Sequence, residues 1–215
     1  MKAATATLAT FLLLLTSGQE VLPVVTALVG AFDPQVLLRQ VAAGFSHIVP
    51  DGLDHIAFLL GLFFLTRSFP ALLVQVTLFT LAHSLTLGLV VLTGLSLPVR
   101  AVEVAVGLSI AAVAFEGMFP TVFWRWRWAT LVLFGGIHGL AFAHSMILGS
   151  DMALSPLAAL FGFNFGVGVG QLLVISAAFL LAAPFWQRAW YRPRVVLPAL
   201  SLIALVGLGW ALARI

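Results

Sequence analysis

The segment from His47 to His55, HIVPDGLDH, holds two histidines, two aspartates, a proline and a glycine. The whole 215-residue chain carries only five His and seven Asp+Glu, so this concentration asks for a reason. Imidazole nitrogen and carboxylate oxygen, in a chain with no cysteine, form a ligand set for divalent Ni, Co, Zn, Fe or Mn. The order of affinities does not select among those metals. A ligating His normally gives its second ring N–H to a carboxylate or carbonyl, so Asp51 and Asp54 suit the same chemistry as orienting groups or as ligands. Two further histidines sit in apolar surroundings, His83 in FTLAHSLTL and His138 in FGGIHGLAF. Any one of them read alone is an interhelical hydrogen-bonding group. Several at one level, joined to Asp54, read as a metal site.

The elements that must position these groups are membrane helices. Hydrophobic residues make up 62% of the chain and charged residues 8%, with a mean hydropathy of +1.18. A soluble domain runs nearer ~25% charged, so the solvent for this surface is lipid. The composition predicts an all-α, polytopic transmembrane bundle. The net charge of +3 comes from ten Lys+Arg. In such a bundle the excess sets orientation, and no basic run in a soluble fold exists to bind nucleic acid. The partners implied are the bilayer and a metal ion. Protein partners are not specified.

Residues 1–20, MKAATATLATFLLLLTSGQE, have the shape of a signal peptide, or begin a first membrane helix that continues through VLPVVTALVGAF. Residues 21–215 then form one transmembrane domain. Asp33 is a good N-cap and Pro34 suits a first turn, so 34–46 is predicted as an interfacial helix. The apolar run over 53–66 covers only about 21 Å, short of a ~30 Å hydrocarbon core. Either the bilayer thins there or the helix starts inside the membrane behind a re-entrant turn. Five more spans are predicted at 70–94, 98–118, 127–148, 156–183 and 196–213, giving six core spans with the N-terminal segment as a seventh helix or a leader. The 53–66 and 70–94 helices are expected to pack as an antiparallel pair. Arg67, Arg125, Arg127, Arg188, Arg192 and Arg194 fall at one end, and Arg39, Arg100 and Arg214 at the other. That bias puts the first set in the cytoplasm and the His47–His55 motif toward the outside.

Counting up from the cytoplasmic ends places His55, His83 and His138 at about 17–20 Å, one layer near mid-membrane. Glu103 falls higher, at about 24 Å. Asn164, Gly168 and Gln171 share a face at i, i+4 and i+7, either as packing or as lining of a pathway. Glu116 ends the 98–118 span as an Arg-pairing or pathway group. His144 is a candidate on the access route. Asp51 is expected to cap the helix that starts at Leu53, leaving Asp54 and His55 for function.

The stretches GFSHIVPDGLDHIAFLLGLFF, FTLAHSLTLGL, VEVAVGLSIAAVAFE, FGGIHGLAFA and FNFGVGVGQ resemble, in order, those of the HupE/UreJ family of bacterial membrane proteins. The resemblance implies nickel or cobalt permease activity. Its polar positions match His47, Asp54, His55, His83, Glu103, Glu116, His138, Asn164 and Gln171. One position departs: Gly168 stands where the family commonly shows Glu. Two functions remain open. One is a permease that binds a divalent ion at His47, Asp54, His55, His83 and His138. The other is an intramembrane metal-dependent hydrolase or metalloprotein with an outward-open zinc or iron site. Polar continuity separates them, because a carrier needs polar groups reaching both faces.

Overall fold

The computed structural model describes residues 32–95, 97–119, 126–147 and 155–215. The segment over 1–20, together with Arg125 and the side chain of His144, lies outside what is described. The described residues form helices α1 (Pro34–Ile48), α2 (Leu53–Leu65), α3 (Phe69–Thr93), α4 (Val99–Met118), α5 (Arg127–Ile147), α6 (Pro156–Ala182) and α7 (Leu197–Ala213). A 3-10 turn at Ala183–Phe185 and a π turn at Arg192–Val196 join α6 to α7.

Local chemistry sets the starts. The Asp33 carboxylate accepts from the N–H groups of Gln35 at 2.7 Å and Val36 at 3.4 Å, and Pro34 fills the first turn. Ser68 Oγ accepts from Ala71 N–H ahead of α3. Gly94, at φ +65°, closes α3 in the left-handed conformation that glycine adopts without strain. Four helical segments are long and apolar enough to cross a membrane: Phe69–Val91, Val99–Met118, Pro156–Phe185 and Arg192–Ala213. Counting α1 and α2 as one bent span makes five, while Arg127–Ala143 is a shorter apolar helix. The described residues are thus all-helical and hold four to five candidate membrane spans by length and composition, where six core spans were expected.

The difference begins with α1. Expected as a separate interfacial helix, it instead lies packed along α6. Asp33 N–H donates to Ser155 Oγ at 3.2 Å, beside the start of α6. Fifteen residues later Ile48 meets Gly170, halfway along it. Beyond the break α2 continues in the same sense, and Phe63 contacts Phe179 near the far end of α6, with ring centroids 5.3 Å apart. The axes of α1 and α2 differ by 65°. Together they follow the full length of α6 as a broken span. This accounts for the short 53–66 run: α2 follows only the second half of α6, because α1 follows the first.

Three close helix pairs build the rest: α1 on α6, α3 on α5, and α4 on α7. Each uses glycine to bring backbones together. A Cβ on Gly162 or Gly166 would collide with the carbonyls of Leu37 or Val41, and one on Gly139 with the carbonyl of His83. On Gly107 it would stand 2.7 Å from the Gly207 carbonyl. The expected α2–α3 pair is not a principal contact. α2 packs mainly on α4 and touches α6, α7, α3 and α1, so it occupies the centre of the bundle. Its His55, Phe58, Leu59 and Leu62 are all buried.

Candidate metal centre

The break between α1 and α2 is the base of the site. His47 ends α1, the chain turns through Val49–Pro50–Asp51–Gly52, and Asp54 and His55 lie in the first turn of α2. Gly52 cannot be replaced without collision, since a Cβ there would meet the His47 carbonyl. Asp51 does not cap α2 with its side chain. The cap residue is Gly52, Leu53 N–H donates to the Asp51 carbonyl at 3.2 Å, and the Asp51 side chain is exposed. The backbone turn itself supplies the first acceptor, so a carboxylate is not needed there.

Four imidazoles converge on this turn from four helices. The His55 ring lies 4.6 Å from that of His47, 4.9 Å from His138 and 5.8 Å from His83 between centroids. The expected single layer of His55, His83 and His138 is instead two overlapping triads that share His55. Ligand atoms of His47, His55 and His83 lie within 4.8 Å of one another, and so do those of Asp54, His55 and His138. Nitrogens on one tetrahedral zinc at ~2.0–2.1 Å stand about 3.4 Å apart, so either triad needs only a small contraction to close on an ion.

Hydrogen bonds fix which nitrogens face inward. His55 Nδ1 lies 3.1 Å from Asp54 Oδ1, which also accepts from His55 N–H at 2.9 Å. The proton belongs on Nδ1, and Nε2 is left as a lone-pair donor. Ser109 on α4 was not foreseen, and it does the same for His138. Its hydroxyl donates to the Val106 carbonyl at 2.7 Å, so its 3.0 Å contact with His138 Nε2 must be accepted from the ring N–H. His138 Nδ1 is then free. Only the general preference for an outer partner on a ligating His could have pointed to a hydroxyl on α4.

The inward nitrogens have no protein partner. His47 Nε2, His55 Nε2, His138 Nδ1 and both ring nitrogens of His83 are buried and unpaired. Each such group costs about 1–3 kcal/mol when left unsatisfied. Each of the four rings thus keeps at least one buried nitrogen without a partner, three of them on histidines that line one cavity, and that is the arrangement a cation would relieve. The residues fit a divalent metal ion.

A cavity of about 140 Å³ reaches these groups, with room for an ion and several waters. His47, Asp54, His55 and His138 line its floor, and Phe142 and Val106 its sides. Glu103 and Arg214, near the starts and ends of α4 and α7, line it as well. Their Oε2 and Nε atoms are 3.9 Å apart and part-exposed, so this weak ion pair marks the mouth. Arg214 was read only as an orientation charge, and nothing in its terminal position marks it for a site. Beneath the histidines the packing is aromatic. Phe58 stacks near Phe79, with centroids 4.6 Å apart, and Phe79 lies 5.1 Å from the His138 ring.

The remaining candidates sit elsewhere. Glu116 is buried about 10 Å further along α4 than Ser109. Its Oε1 receives both Nε and Nη2 of Arg127 at 2.8 Å. Asn164 accepts from Ser84 and Gln171 from Thr80, the latter at 2.7 Å, so both join α6 to α3. Gly168 has nothing within 4 Å of a built Cβ, so the missing glutamate would enter open space there.

A family model described as HupE / UreJ protein matches residues 9–214. The chain belongs to the HupE/UreJ family. No curated protein and no solved structure matches it. Membership points to a role related to nickel or cobalt transport, and the family model covers every residue of the cavity just described.

Proposed function

We propose that this HupE/UreJ protein captures a divalent transition metal ion, nickel or cobalt in kind, and carries it across the bacterial inner membrane. The arginine-rich end is cytoplasmic by the positive-inside rule, and residues 21–215 form one transmembrane domain of six spans, with α5 as the sixth. The observation that carries the reading is the set of unpaired ring nitrogens on four clustered histidines from four helices, three of which, His47, His55 and His138, line a polar cavity. Glu103 at the mouth attracts the cation. His47, Asp54, His55, His83 and His138 take it from water, with Asp54 and Ser109 holding two of the rings in the ligating tautomer. Two triads that share His55 let an ion shift from one to the other without full release, which suits transient binding. Passage inward requires the Phe58–Phe79 floor to part and the Glu116–Arg127 pair to rearrange. The break at Val49–Gly52 is the natural hinge, since it has no helical ladder to resist bending.

The blind floor favours a second reading, an intramembrane metal-dependent hydrolase with resident zinc or iron. In that case His47, His55, His138 and Asp54 would hold the metal, and the metal would supply an activated water. Radiolabelled nickel uptake by proteoliposomes, run beside elemental analysis of the purified protein, separates the two. Saturable uptake, lost with His55→Ala and inhibited by cobalt, is expected. Stoichiometric zinc or iron that survives purification, with no uptake of any metal, would replace transport by the enzyme.

A further inference from the structure

The arginine-rich end of the bundle holds two adjoining cavities that the metal centre does not use. One is an apolar groove of about 380 Å³ between α2, α6 and the 185–195 segment, walled by Leu60, Leu181 and Phe185 among others. The other, of about 190 Å³, is polar. Phe63, Phe64 and Tyr191 line both, so the two are continuous. Thr66, Arg67 and Arg192 face the polar cavity, and among the described residues no acidic side chain lines it. Arg192 Nη2 is steered by a 3.4 Å contact with the Met118 carbonyl.

We propose that the two cavities form one site for a single anionic phospholipid. The phosphodiester sits between Arg67 and Arg192, and an acyl chain lies in the groove. Guanidinium forks match phosphate oxygens, and the Thr66 hydroxyl adds a third donor. The groove opens beside a head-binding pocket at one depth, which is the shape of a lipid with its head and its tail. Trp186 and Tyr191 stand where aromatic side chains meet headgroups. A zwitterionic headgroup would bring its own cation against two arginines, so charge selects the anionic class. Arg188 and Arg194 are exposed outside the pocket and contribute only a diffuse field. The site is independent of what the histidines bind.

The test is native mass spectrometry of the full chain released from vesicles of equal phosphatidylglycerol and phosphatidylcholine. The parent is expected to retain one phosphatidylglycerol with about ten-fold preference. Arg67→Gln/Arg192→Gln should abolish the preference, and Arg188→Gln/Arg194→Gln should keep it. Ala182→Trp, which fills the groove and leaves the arginines intact, should also expel the lipid and covers the case in which the double arginine variant does not fold. Equal retention of both lipids by the parent overturns the proposal. So does equal loss in the two arginine double variants, which would mean surface charge alone, or retention unchanged by Ala182→Trp.

Discussion

Replacing Ser109 by alanine removes one oxygen and tests the inner logic of the site. In the parent, Ser109 accepts from His138 Nε2–H and donates to the Val106 carbonyl, which leaves His138 Nδ1 as the inward lone pair. Alanine is nearly the same shape, so packing changes little. The loss of one hydrogen bond costs about 0.5–1.5 kcal/mol of stability, and the stranded ring N–H adds about 1–3 kcal/mol unless the ring turns over. If it turns over, Nδ1 faces away from the ion and a ring carbon takes its place. Outer partners of ligating histidines are worth about 10- to 100-fold in affinity, or about 1.4–2.7 kcal/mol. Ser109→Ala should therefore bind nickel about 10- to 100-fold more weakly in equilibrium dialysis while it still melts cooperatively. Ser84→Ala is the matched control. Ser84 donates to Asn164 between α3 and α6 and does not line the cavity, so its variant should lose stability and keep affinity. Equal affinity in Ser109→Ala and the parent would refute the tautomer argument, as would equal weakening by Ser84→Ala.

Asp54→Asn keeps an oxygen near His55 Nδ1 but removes the charge, and should weaken nickel binding at least about ten-fold, whereas Asp51→Asn should leave dialysis unchanged because its side chain is exposed and caps nothing. Glu116→Gln removes the charge that faces the Arg127 guanidinium, and should lower stability by up to about 3 kcal/mol in a denaturant titration without a matching loss of nickel affinity. Gly166→Val drives a side chain into the Val41 carbonyl, and should cost more than about 4 kcal/mol or prevent folding, read as lost thermal cooperativity and low yield.

Much of the site was legible because chemistry that lipid penalises stands out against it. His47, Asp54, His55, His83 and His138 are rare residue types in apolar runs, and the structure brings all five to one turn. The short 53–66 run also pointed to a helix that starts behind a turn, and α2 does begin beyond a break, beside the middle of α6. Its cause was harder to see. α1 looked too polar and too short to enter the bilayer, because its partner surface is glycine. Gly162, Gly166 and Gly170 repeat every four residues along α6, and that spacing was the signal for a closely docked helix. Attention went instead to Asn164 and Gln171 on a neighbouring face, where side-chain polarity is conspicuous and serves packing. Ser109 was hidden for the opposite reason. A serine in a membrane helix normally bonds its own backbone, as this one does with Val106, and its second contact depends on how α4 and α5 cross.

The central claim, that the four histidines and Asp54 hold a divalent ion, is tested most directly by X-ray absorption on the purified protein. The sample would be loaded with one equivalent of nickel after chelator treatment. The account predicts one bound ion per chain, with imidazole scattering and first-sphere nitrogen or oxygen at roughly 2.0–2.2 Å. The imidazole signal should be lost in His55→Ala, because His55 belongs to both triads. Nickel without imidazole scattering in the parent, or an unchanged imidazole signal in His55→Ala, would contradict it.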